Sequence, residues 1–361
     1  MPTLFDAFDL HGLKLPNRVL MSPMTRTRAQ DNGVPTDLMR DYYVQRASAG
    51  LIITECTQVS DQGHGIVRAP GIHRQDQIDG WHRVTDAVHA TGGRIYLQIW
   101  HCGRVAHPGM RGGELPVAPS PIPAAGDFFL PTGRVDFPIP RELRIEEIAP
   151  IIETFAQATR NARKAGFDGV ELHGANGYLQ DQFLQDGSNK RTDAYGGPVE
   201  NRARLMLETV QAVIAAWSAD RVGVRLSPSG TLYGMHDSDK LATFSYVIRK
   251  LDAMKVGYLH FTEPNARVLE AGNVQIKNVA QTFRPMMSVP LIINTGFDKT
   301  RANAVLAARD ADLVAFGVPF LANPDLPERL RRDLPLNKPD PASFYGVGAK
   351  GYTDYPASPN A

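Results

Sequence analysis

Short apolar, β-branched runs recur along the chain and are separated by stretches whose apolar residues fall at helical spacing. The runs occupy 18–21, 51–55, 94–100, 169–173, 222–226, 258–262, 291–294 and 313–316. The intervening segments 148–165, 200–217 and 240–254 read as amphipathic helices. Alternation of this kind predicts βα units and a parallel sheet. Eight such units predict a closed (β/α)8 barrel of the α/β class, with a hairpin ahead of the first strand.

Two long pieces fall outside the alternation. Residues 102–144 follow the third run and are rich in Pro and Gly. An excursion of that length inside a compact domain is expected to act as a lid or binding element, here with a short hairpin around 128–137. The tail beyond Asn337 carries aromatics unusual for a disordered end, and it is expected to fold back over the barrel. The whole of 1–361 is read as one barrel domain.

In barrels of this type the active site lies at the C-terminal ends of the strands. Read that way, the ends supply Thr25, Glu55 and Cys56, then Gln98, Trp100 and His101. His173, Asn176 and Tyr178 come next, followed by Arg225, Thr262 and Glu263, Gly296 and finally Gly317. His173 and Asn176 can hold an anionic oxygen by hydrogen bonds, and a Tyr178 hydroxyl beside them can donate a proton. An oxyanion clamp next to an acid suits reduction of an electron-poor double bond, although strand-end polars are also common as satisfied core groups. Glycines after the last two runs let backbone N–H groups approach a phosphate, where barrels commonly hold one. Arg225 sits between Val224 and Leu226, so its charge needs a partner.

Composition narrows the class. The 361 residues are 43% hydrophobic with a net charge of +1, and no basic stripe suggests a nucleic-acid partner. Arg329, Arg331 and Arg332 read as a solvated helix face. Two isolated cysteines, Cys56 and Cys102, offer neither a disulfide framework nor metal-ligand spacing. The N-terminus has no signal-like pattern, and no apolar run approaches the roughly 20 residues of a membrane span. A cytoplasmic protein acting on small molecules is expected, with no bound metal and no membrane partner.

The ordered set Ser22-Pro23-Met24-Thr25-Arg26, Ile53 to Gln58, Gln98-Ile99-Trp100-His101, His173 to Tyr178, Ser188 to Asp193, Tyr195-Gly196-Gly197, Glu200-Asn201-Arg202, Ala322 to Leu326 and Gly351 to Pro356 resembles the old yellow enzyme family of flavin-dependent ene-reductases. The resemblance implies a non-covalent FMN in a (β/α)8 barrel, reduced by NADPH or NADH. It implies hydride transfer to the β-carbon of an α,β-unsaturated carbonyl or nitroalkene, with Tyr178 protonating the α-carbon. By the same resemblance Pro23, Met24 and Cys56 contact the flavin and Thr25 bonds its O4. Gln98 would meet the pyrimidine edge and Arg225 the N1–O2 region. Gly296, Phe297, Gly317 and Val318 would receive the phosphate. His173 and Asn176 would hold the substrate oxygen, and Trp100, Ile66 and Tyr352 would line the substrate space.

Three positions depart from the family pattern. Val318 stands where Phe-Gly-Arg would place an arginine on the phosphate, which leaves that role to backbone N–H groups and to a cation such as Arg284 or Lys299. Ile66 replaces a common tyrosine and should widen one side of the pocket. The oxyanion pair is His173/Asn176, where many bacterial members have two histidines. Other phosphate-binding barrels compete poorly, because no strand-end lysine is visible, and two cysteines cannot hold a four-cysteine cluster.

Overall fold

The computed structural model describes residues 1–359 other than 131, 271 and 273. A tight antiparallel hairpin, β1 (Phe8–Leu10) and β2 (Leu13–Leu15), comes first. His11 and Gly12 at its tip both have positive φ, as a two-residue turn between twisted strands requires. The parallel strands β3 (Val19–Met21), β4 (Ile52–Ile53), β5 (Thr57–Gln58) and β6 (Ile95–Trp100) follow. Four short strands belong to the excursion: β7 (Val117–Ala118), β8 (Asp127–Leu130), β9 (Gly133–Asp136) and β10 (Arg141–Glu142). Then come β11 (Gly169–His173), β12 (Val222–Leu226), β13 (Tyr258–Thr262), β14 (Leu291–Asn294) and β15 (Leu313–Phe316).

The sheet runs β11-β12-β13-β14-β15-β3-β4-β6, and a β11–β6 pairing closes it into the expected eight-strand parallel barrel. Its strands are buried on both faces, so they read as nearly continuous apolar runs. Side chains still alternate in direction. Val170, Leu172 and Val224 belong to the outer core shared with the helices. A separate inner cluster of Leu20, Leu51, Ile53, Tyr96, Tyr258, Ile292 and Leu313 fills one end of the barrel, and Leu10 and Leu15 of the hairpin join it. Toward the other end the interior turns polar, with Gln98, Glu171, Arg225, His260 and Asn294 all buried.

Two elements differ from the sequence reading. The run 51–55 forms a strand only over Ile52–Ile53, because the Glu55 N–H is bonded by the Tyr43 hydroxyl at 3.1 Å instead of by a neighbouring strand. The segment 200–217 forms two helices, Val199–Arg202 and Arg204–Ala216, with Ala203 between them.

The excursion forms the antiparallel β8–β9 hairpin, and Phe128 and Phe137 pack with Val105, Ala106 and Trp100. The tail returns to the barrel. Buried Arg26 donates to the carbonyls of Phe344 and Gly351 at 2.9 and 2.6 Å. Arg28 donates to Ser343 and Lys350 at 3.1 and 3.0 Å. The Tyr352 ring stacks on Tyr42 with centroids 4.0 Å apart. Arg329 also corrects the sequence reading. It is buried rather than solvated, pairs with Asp325 at 2.7 Å and donates to Pro356 of the tail at 2.8 Å. Among the described residues no helix is long and apolar enough to cross a membrane.

Candidate active site

A cavity of about 1000 Å³ opens over the C-terminal strand ends. Pro23, Met24, Thr25, Cys56 and Arg225 line it together with His173, Asn176 and Tyr178. The excursion closes it with Phe128, Phe129 and Phe137, and the tail contributes Phe344 and Tyr345.

The sharp exit from β11 sets the geometry. The Gly174 N–H bonds the Arg225 carbonyl at 2.9 Å, tying β11 to β12. Asn176 and Gly177 then both adopt positive φ, 59° and 78°. A Cβ at Gly177 would meet Met235 at 2.9 Å, so glycine is required there for space as well as for conformation. Tyr178 follows as the N-cap of the helix Leu179–Leu184. The turn thus brings His173, Asn176 and Tyr178 to one wall of the cavity.

His173 Nδ1 accepts the Ala175 N–H at 3.3 Å. That bond puts the proton of the neutral ring on Nε2, which is then free to donate. Burial, reinforced by the nearby Arg225 and His260, holds the imidazole pKa well below its ordinary value, so the ring is neutral near pH 7. The Tyr178 ring meets Trp100 and His173 edge-on, with centroids 5.2 and 5.0 Å away. Burial pushes its phenol well above the ordinary value, and Tyr233 adds to the effect by charge and by a side-chain hydrogen bond. Tyr178 therefore keeps its proton near neutral pH.

Arg225 is 7% exposed and lines the cavity. It donates to Asn294 Oδ1 at 3.3 Å, while its Nε has no partner among the described residues. Gln98 lies deeper, donating to Glu171 at 2.7 Å and accepting the Cys56 thiol at 3.1 Å. Burial pushes the Cys56 thiol up to about 12, so it acts as a neutral donor.

At the other edge, exposed Val318 lines the cavity and opens the helix Val318–Ala322 directly after Gly317. Gly296 and Phe297 follow β14 outside the main lining, Gly296 with φ +74°. Neither cation proposed for this edge is free: Arg284 pairs with Asp312 at 3.0 Å and Lys299 with Asp333 at 2.7 Å. Arg301 is the cation beside it, donating to the Gly296 carbonyl at 2.8 Å and lying 4.4 Å over the Phe297 ring.

Of the expected substrate-space residues, Ile66 lines the cavity. Trp100 is fully buried behind Tyr178. Tyr352 lies under Arg26 in the core, and Tyr345 of the same tail reaches the mouth in its place. Phe128 and Phe137 come from the hairpin expected around 128–137, whereas sequence reasoning missed Tyr233, which has no strand-end signature. It missed Glu171 as well, two residues from His173 and so on the same strand face, a signal that period-2 reading could have used.

These residues fit a flavin mononucleotide. The unpartnered Arg225 Nε suits the electron-rich edge of a flavin ring, Pro23 to Thr25 and Cys56 supply a wall, and the Val318 edge offers room for a phosphate.

Comparison with known proteins points to a flavin-dependent family. Residues 3–337 match the model of the NADH:flavin oxidoreductase / NADH oxidase family. The chain is 42% identical to 12-oxophytodienoate reductase 1 of Oryza sativa subsp. japonica, with 98% of this chain and 92% of the relative aligned. Morphinone reductase, solved in complex with tetrahydroNAD, superposes with TM-score 0.93 at 45% identity, covering 99% of this chain and 98% of that one. The old yellow enzyme homologue from Zymomonas mobilis superposes at 0.95 and 40% identity over 98% and 99% of the two chains.

Proposed function

This chain belongs to the NADH:flavin oxidoreductase / NADH oxidase family, the old yellow enzymes, and we propose that it is an FMN-dependent ene-reductase acting on α,β-unsaturated carbonyls or nitroalkenes. The observation that carries this reading is the convergence of a neutral His173, Asn176 and a protonated Tyr178 on the cavity wall that also receives Arg225. Bound FMN would supply the redox chemistry, taking a hydride from NADH or NADPH and delivering it to the β-carbon of the alkene.

The side chains do the rest. His173 Nε2–H and the Asn176 amide hold the carbonyl or nitro oxygen, where negative charge grows as the β-carbon is reduced. Donors fixed in advance stabilise that charge more than the ground state, typically by about 3 kcal/mol each. Tyr178 O–H gives its proton to the α-carbon. Arg225 favours the negative charge that reduction places on the pyrimidine edge. Pro23, Met24, Thr25, Cys56 and Gln98 serve the ring, and backbone groups around Gly296, Phe297, Gly317 and Val318 serve the phosphate. Aromatic residues of the excursion and tail exclude water and shape the substrate space, with Ile66 on one side. A cytoplasmic location goes with this reading, since reduced nicotinamide is the electron source.

The test is anaerobic stopped-flow absorbance of the FMN-loaded protein, mixed with NADPH and then with 2-cyclohexenone. A flavin band that bleaches and then returns is the expected result. A protein that takes up no FMN overturns the reading, and so does a reduced band that no enone or nitroalkene reoxidises.

A further inference from the structure

The polar layer inside the barrel is costly. Glu171 and His260 are both fully buried, yet His260 Nδ1 lies 2.8 Å from Glu171 Oε2. The other carboxylate oxygen accepts Gln98 Nε2 at 2.7 Å. Burying such a pair is often no better for stability than an apolar pair of similar volume, and barrel interiors are usually packed with branched aliphatics. The layer ends at Arg225, which faces the cavity.

The contacts fix two things. An ionised carboxylate only accepts, so the Gln98 amide nitrogen must face Glu171 and its carbonyl must face Cys56 on the cavity wall. The negative charge of Glu171 also bears on the Arg225 guanidinium one strand away. Burial works against an ionised Glu171, but His260, Arg225 and Gln98 together hold its pKa below the ordinary carboxylate value.

We propose that Glu171 is a positioning residue for the flavin pyrimidine edge, locking the Gln98 amide with its carbonyl toward the cavity and setting the redox potential as the counter-charge to Arg225. His260 serves it by holding its second oxygen. The proposal rests on the FMN reading above. Without the Glu171 charge, Arg225 is less compensated, and electrons added to the ring are held more tightly.

The experiment compares the midpoint potentials of wild-type and Glu171→Gln holoproteins, each equilibrated with a reference dye. Glu171→Gln keeps the shape and removes the charge. The expected result is a tenfold or larger shift toward reduced flavin, a rise of about 30 mV for a two-electron couple. A purely structural role would lower stability and leave the potential where it was. If Glu171→Gln does not fold alone, the Glu171→Gln/His260→Gln double variant decides, because it removes the same charge while giving the new amide a hydrogen-bond partner, and it should shift the potential in the same direction. An unchanged potential in the variant that folds overturns the proposal while the flavin reading stands. A wild-type protein that binds no FMN overturns both.

Discussion

Tyr178→Phe isolates the proton-transfer step. The substitution removes one oxygen and leaves the ring, which keeps its edge contacts to Trp100 and His173 at centroid distances of 5.2 and 5.0 Å. Loss of the hydrogen bond with Tyr233 should cost about 1 kcal/mol of stability, so the fold survives. The catalytic cost is larger. A positioned general acid contributes about 10²–10⁴-fold, or roughly 3–5 kcal/mol at about 1.36 kcal/mol per decade. That loss should appear only in reoxidation of the flavin by an enone, because hydride transfer from the nicotinamide needs no proton from Tyr178. Rapid-mixing measurement of each half-reaction separates them. The pH profile adds a second check. Burial raises the Tyr178 phenol well above its ordinary value, so the acid form persists across about pH 6–9 and wild-type reoxidation should be flat there. Equal slowing of both half-reactions, or a titration of reoxidation near neutrality assignable to Tyr178, refutes the role.

Four further outcomes are expected. His173→Ala should weaken binding of a phenol ligand and slow enone reduction about 10²-fold; an unchanged charge-transfer titration would contradict the clamp. Val318→Arg should tighten FMN by adding a cation at the edge where Arg301 lies beside Gly296, and equilibrium dialysis of the apoprotein reads it; no gain in affinity removes the idea that Val318 weakens the phosphate site. Ile66→Tyr should lower activity on bulky cyclic enones relative to small ones, since Ile66 lines the cavity; equal or better bulky turnover counts against it. Glu55→Gln should flatten the pH dependence of stability. Burial lifts Glu55 to about 7 against an ordinary 4.5, so its contribution is full below about 4.5 and is lost as pH rises through 7, on the order of 3 kcal/mol in all; urea midpoints that still fall over that window in the variant would assign the loss to another group.

How far the chain could be read in advance follows from the range of the interactions involved. Strands β11 to β15 coincide with their apolar runs because burial on both faces writes a local, unbroken pattern. Strand β4 is shorter than its run because the Glu55 N–H is claimed by the hydroxyl of Tyr43, twelve residues away, and no local pattern reports that. The tail was legible as ordered but not in detail. Which aromatic reaches the cavity depends on Arg26 and Arg28 gripping carbonyls more than 300 residues away, and that grip puts Tyr352 in the core and Tyr345 at the mouth. The Glu171–His260 pair was hidden for the same reason, since strand spacing gives a residue's face but not its partner across the barrel.

Burial is the largest cause of the site's protonation states, with neighbouring groups adding to it. Removing water lowers the His173 pKa and raises that of Tyr178, so one becomes a neutral N–H donor and the other a retained O–H acid. Phe128 and Phe137 of the excursion and Phe344 and Tyr345 of the tail line the cavity onto which both residues open. Arg225 differs, because a cation in a dry site must be balanced, and the barrel balances it from below with Glu171 rather than from the cavity, where an anion would oppose the reducing electrons. The carbonyl contacts of Arg26 and Arg28 hold the tail segment that carries Phe344 and Tyr345. Loosening them is expected to admit water and move both pKa values back toward solution values, which would weaken the proposed clamp and the proposed acid together.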